Sequence, residues 1–164
     1  MSAGGRAGQS TLYAILLMPT LLMVLSLVAD VGSLQVERVR LRWALDTALV
    51  DAVGEVDQPA YAATGRLRLG PEADGVLRRY LVANLESIRP LLAGATPESV
   101  AEGAEVVVAN DVPAADPFSG RRLDRPAISA RIRAPFRLGL VGLAGLPSVQ
   151  TLTVSADAEV RGDR

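Results

Sequence analysis

Three carboxylates in one proline-rich stretch are the residues of this chain most suited to chemistry. Asp111, Asp116 and Asp124 lie within DVPAADPFSGRRLDRP, and carboxylate oxygens of this kind suit a hard cation such as Ca²⁺. Their spacing fits no EF-hand loop, so the stretch reads as a solvated acidic loop and no metal is expected. The tripeptide Arg161-Gly162-Asp163 resembles an integrin-binding motif, but in so short a C-terminal tail it reads as a chance match. The chain has no His and no Cys. That removes the commonest general base, the commonest metal ligand, the thiol nucleophile and any disulfide framework. No phosphate-cradling loop, GxSxG elbow or paired metal motif occurs. No enzyme and no cofactor are expected. All 17 basic residues are Arg, and the net charge is −1, which gives no electrostatic grip on nucleic acid.

The elements that position everything else begin with Ser10–Ala29, STLYAILLMPTLLMVLSLVA, an uncharged and almost wholly apolar run. At about 1.5 Å per residue it is just long enough to cross a hydrocarbon core of roughly 30 Å as a helix. Arg6 is the only charged side chain before it, and Asp30 marks its end. A cleaved secretory signal is the competing reading. The run exceeds a usual h-region of about 7–15 residues, and cuts after Ala29 or Ser33 would put Leu27 or Val31 where a small residue is wanted. A retained membrane helix is therefore expected. The chain divides into a short segment 1–9, a transmembrane helix 10–29 and a domain 30–164, large enough for one modest core.

The helical period continues past Asp30. Leu41, Leu45, Ala48, Ala52 and Val56 fall on one face, widened by Leu49 and Val53, while Arg42 and Asp46 form an i,i+4 pair. One helix from about Ser10 to Val56 is predicted, stopped by Gly54 and the Asp57-Gln58-Pro59 group. A loop, YAATGRLRLGP, follows. A second helix is predicted from Glu72 to Ile88 and closed by Pro90, then a short helical turn 97–101 with Thr96 as N-cap. Beyond it the period becomes two. Strands are predicted at 105–109, 127–136 and 149–160, with 111–126 a long polar loop and RLGLVGLAGLP linking the last two strands. In the second strand Ile128, Ala130, Ile132 and Ala134 face inward against Ser129, Arg131 and Arg133. The last strand alternates imperfectly, which leaves room for a bulge. The fold class is α+β: a long N-terminal helix, half transmembrane and half amphipathic, packed on a small antiparallel sheet with a second helix.

These pieces resemble the TadE/TadG-like proteins, minor pilin-like (pseudopilin) subunits of the tight-adherence (Flp) type IV pilus system. The residues that carry the resemblance are Gly8-Gln9, Pro19 in the apolar run, Asp30-Val31-Gly32, and the amphipathic stretch Leu41 to Ala48. The strand ending at Phe136, the Gly/Leu link and a final strand with Glu159 are also similar. The resemblance implies a pilin-like fold and a structural role in pilus assembly and adhesion. Its partners would be the membrane and other pilus-assembly subunits. It also implies a leader-processing junction at Gly8–Gln9. Counted from there, the fifth residue is Tyr13, where such subunits often carry a Glu that cancels a neighbour's new N-terminal amine. Tyr13 cannot neutralise that amine, so uncleaved retention, as in TadG-like members, is expected. Tyr13, Pro19, Asp30 and Gly32 are the candidate assembly and helix-packing residues.

Arg38, Arg40 and Arg42 outnumber Arg6 and the amine across the span, which by the positive-inside rule favours a cytoplasmic C-terminus. The resemblance implies the reverse, a single-pass inner-membrane protein with its C-terminal domain exported, and that orientation is the one expected. The alternative function is a membrane-tethered extracytoplasmic binding module unrelated to pili.

Overall fold

The computed structural model describes residues 4–139 and 148–161, with side chains from Tyr13 onward except Ala14. Gly162 and Asp163 of the tripeptide, and residues 140–147 of the Gly/Leu link, lie outside the described residues.

One helix dominates the molecule. α1 runs from Gly4 to Val53 and includes Pro19, a length of about 75 Å at 1.5 Å per residue. It passes through the proline although that residue offers no N–H to the preceding turn. The Thr20 hydroxyl bonds back to the Leu16 carbonyl at 3.1 Å. α1 changes character along its axis. Ile15 to Leu25 is exposed and apolar, whereas Leu41, Ala44, Leu45, Ala48, Leu49 and Ala52 are fully buried. The buried stripe is the face that the spacing of leucines and alanines predicts.

The chain then turns more than the sequence suggests. The Asp57-Gln58-Pro59 group does not merely end α1; it starts α2, Gln58–Thr64. The Asp57 carboxylate caps the Ala60 N–H, Pro59 sits in the first turn, and Gly65 closes the helix in the left-handed region at φ 67°. This helix takes in the first four residues of the predicted loop, Tyr61 to Thr64, because a capping Asp with a proline behind it is a start signal as much as a stop. α3 is Ala73–Leu85, and a 3-10 stretch continues from Glu86 to Leu91 with Pro90 inside it. Pro90 therefore does not close the predicted helix; the tighter winding begins before it. α4, Pro97–Glu102, opens with the expected Thr96 cap and a full capping box with Ser99.

Three strands form one antiparallel sheet in the order β1-β4-β5: β1 Glu105–Ala109, β4 Ala127–Arg137 and β5 Val149–Glu159. β4 pairs with β5 over eleven consecutive residues, so the last strand has no bulge. Within the predicted loop 111–126, β2 Ala114–Ala115 and β3 Arg122–Leu123 make a small hairpin. Ser129, expected outside, is buried beside this hairpin together with Asp116. The second half of α1 packs against β5, β4 and α3, and the core lies between the sheet and the helices. Ile128, Ala130, Ile132, Ala134 and Phe136 face it from β4, as the alternation dictates.

Candidate functional site

The predicted loop carboxylates do not converge. Asp111 is fully exposed and Asp124 pairs with its neighbour Arg122 at 2.7 Å. Asp116 is buried, not solvated: its carboxylate accepts from the Ser119 N–H at 2.7 Å and from the Ser119 hydroxyl. Burial pushes its carboxyl up, but the Ser119 hydroxyl, the nearby Ser129 hydroxyl and the N–H groups of Ser119 and Phe118 outweigh that and hold it below the ordinary aspartate range. Asp116 thus braces its own loop through Ser119. Among the described residues no group of three or more acidic side chains is arranged to hold a metal ion. On the same side, Asp157 hydrogen-bonds Arg121 and raises its already high pKa, with Glu159 also paired to it at 2.7 Å.

The feature with functional geometry is α1 and its junction with the head. Among the described residues one helix is long and apolar enough to cross a membrane, and it is this one. Tyr13 lies exposed on it, at 61 %. Pro19 is inside it, and Gly32 has open space where a Cβ would stand. Gly8 and Gln9 lie on its first turns, and their side chains fall outside the described residues.

Asp30 is where expectation and structure part. A carboxylate that only marked the end of a span would be solvated, yet Asp30 is 5 % exposed. Its Oδ1 accepts the Gly139 N–H at 3.1 Å, a contact between residues 109 apart. Its backbone carbonyl also accepts the Ser33 hydroxyl at 2.8 Å. A side chain on Gly139 would stand 3.6 Å from that carboxylate oxygen, ordinary contact distance, so the position does not demand glycine for space. Asp30 therefore ties the segment after β4 to the point where α1 enters the head.

Higher on α1, Arg42 makes the predicted pair with Asp46, at 2.9 and 3.0 Å from Nε, and also reaches across to the Ser155 carbonyl on β5 at 2.6 Å. Asn84 of α3 donates to the Ala44 carbonyl at 3.2 Å. These bonds clamp α1 from both sides. A groove of about 360 Å³ runs between α1 and β5, lined by Arg38, Val39, Arg42, Thr153, Val154 and Ser155. The outward face of α1 bears a second apolar row, Val36, Val39, Trp43 and Val50, each at least half exposed. Sequence reasoning on the buried stripe passed over this row. Its spacing of three, four and seven residues was the available signal.

Comparison with known proteins adds one match. Residues 8–55 fit the family described as "Putative Flp pilus-assembly TadE/G-like". That is the segment from the Gly8-Gln9 pair through the end of α1, so the similarity to the TadE/TadG-like proteins covers the exposed apolar half and the amphipathic half of the helix together. No curated protein and no solved structure matches the chain.

Proposed function

From a TadE/G-like segment that covers the long helix from residue 8 to its end, we propose that this chain is a structural, non-enzymatic subunit of a tight-adherence pilus or a related secretion machine. It is held by one transmembrane helix over residues 10–29, with the domain 30–164 outside the cytoplasm. In this reading it is a minor pilin-like component acting in pilus assembly and adhesion; Tyr13, Pro19 and Gly32 belong to the part of α1 that packs against neighbouring subunits, and Asp30, buried against Gly139, sets the head on that helix.

The observation that carries the proposal is the division of α1 into a bare apolar half and a buried half within one helix. Exposed apolar surface of that extent is unfavourable in water and favourable in lipid. A pilus-assembly role follows from the family match over residues 8–55. Four measurements test it. Alkaline extraction of native membranes should leave the protein in the pellet, and protease added to intact cells should reach the head. Intact mass and N-terminal sequencing then separate the fates of the leader. An unprocessed N-terminus is expected, a start at Gln9 would show pilin-like cleavage, and a start near Val31 would sink the anchor. Cysteines introduced at Leu16 or Leu25 should crosslink to pilus components, and the absence of such adducts would count against the reading.

A further inference from the structure

Among the described residues the sheet has two edge strands, and a shared membrane would fix how they can meet. In the order β1-β4-β5 both β1 and β5 are edge strands, and β1 runs parallel to β5 because each is antiparallel to β4. The Ser155 carbonyl points off the β5 edge toward Arg42. In an antiparallel strand the N–H and C=O of one residue share a side and alternate along the chain. The Ser155 carbonyl is already taken by Arg42, so along this alternation Asp157 and Glu159 are the residues whose outward backbone groups stay unbonded among the described residues at the β5 edge. By the same register Val106 and Val108 present theirs to the free edge of β1. Such edges are templates for pairing.

We propose that the β5 edge of one copy of this chain receives the β1 edge of a second copy, side by side in the same membrane. The two edges meet at the same height. Glu105 and Ser155 both pair with Arg131, and Ala109 and Glu159 both pair with Ala127, so a neighbour shifted sideways sets its β1 against residues 155–159. Two copies anchored in one bilayer share an orientation, which makes the new pair parallel, the direction that β1 and β5 already have. This step rests on the membrane reading above.

The flanking charges agree. Beside β5, Arg38 is exposed and forms no ion pair among the described residues, and it lines the groove with Thr153, Val154 and Ser155. On the β1 side, α4 ends three residues before Glu105 and carries exposed Glu98 and Glu102, whose carboxylates form no ion pair among the described residues. A neighbour placed in register brings those acids to the level of Arg38. A second groove, of about 380 Å³, borders the β1 edge at Val108. The exposed row Val39 and Trp43 then faces the adjoining copy's helical layer. The contact is heterologous and does not close on itself, so it propagates as an open row of heads. Confinement in the membrane lets a short edge contact suffice.

The test uses the full chain in lipid nanodiscs, labelled in two colours. Asp157→Pro and Val108→Pro each remove an outward N–H without touching the bonds to β4, positions where edge strands tolerate proline. This parallel pairing uses both, the Asp157 N–H toward the neighbour's Val106 carbonyl and the Val108 N–H toward the neighbour's Asp157 carbonyl. Wild type should form rows of three or more copies, and each variant alone should be monomeric. An equimolar mixture of the two should recover dimers and nothing larger, since one intact β5 edge meets one intact β1 edge. Wild type that stays monomeric, an Asp157→Pro variant that assembles like wild type, or a mixture that stays monomeric would overturn the proposal. Should a proline variant fail to fold, Arg38→Glu serves instead. It should weaken assembly about tenfold and be rescued by Glu98→Arg/Glu102→Arg in the partner copy; no weakening, or weakening without rescue, refutes the pairing. Nanodisc incorporation is scored separately, so a failed anchor is distinguished from a failed edge contact.

Discussion

Two leucines on the same helix should give opposite results when truncated. Leu45 is fully buried between the sheet and α3, whereas Leu25 is 58 % exposed and touches none of the head's core. Leu45→Ala removes a buried isobutyl group and leaves a cavity that a helix clamped by Arg42 and Asn84 cannot easily close. Buried Leu→Ala changes cost about 2–5 kcal/mol. Taking about 3 kcal/mol for a head of this size, the melting temperature should fall by about 10 °C. Leu25→Ala should alter head stability by less than about 0.5 kcal/mol. The assay is thermal unfolding of the full chain in detergent micelles, followed by far-UV circular dichroism and by the fluorescence of Trp43, the only tryptophan. If Leu25→Ala lowers the melting temperature as much as Leu45→Ala, the two halves of α1 are not the separate environments described above.

Three further outcomes are expected. Asp30→Ala should leave the Gly139 amide without its acceptor and cost about 1–3 kcal/mol locally, read as faster hydrogen exchange at Gly139 with the strand core unchanged. Asp116 has a folded-state pKa below its unfolded one, so its contribution is present above the ordinary aspartate range and is lost as pH falls through the folded value. An acid titration of stability should therefore be flatter in Asp116→Asn than in wild type over that range. Thr96→Ala removes the cap of α4 and should cost about 1 kcal/mol, measured by chemical denaturation.

What was legible in the sequence followed from local periodicity. The buried stripe Leu41 to Ala52 and the alternation of Ile128, Ala130, Ile132 and Ala134 each repeat at the period of their element, so burial could be assigned before any contact was known. Thr96 with Pro97 signalled a helix start through a local cap. Asp57 with Pro59 carried the same signal, but its position after a long helix made a stop the nearer interpretation. What could not be read depends on partners far along the chain. Nothing near Asp30 announces Gly139, nothing near Arg42 announces Ser155, and the burial of Asp116 depends on a hairpin only four paired residues wide. Of the candidate residues, Asp30 changed most: its charge suggested solvent, and the fold gives it a backbone amide.

The continuity of α1 also has a mechanical consequence. With α1 unbroken from its exposed apolar half to its buried half, a pull along the helix axis loads the whole buried stripe from Leu41 to Ala52 at once, in shear, instead of peeling contacts apart one by one. The Asp30–Gly139 bond and the Arg42–Ser155 bond cross that shear plane at two heights. Rotation of the rod about its own axis would swing the head as a unit, so the bearing of its surfaces is set by the azimuth of a single helix.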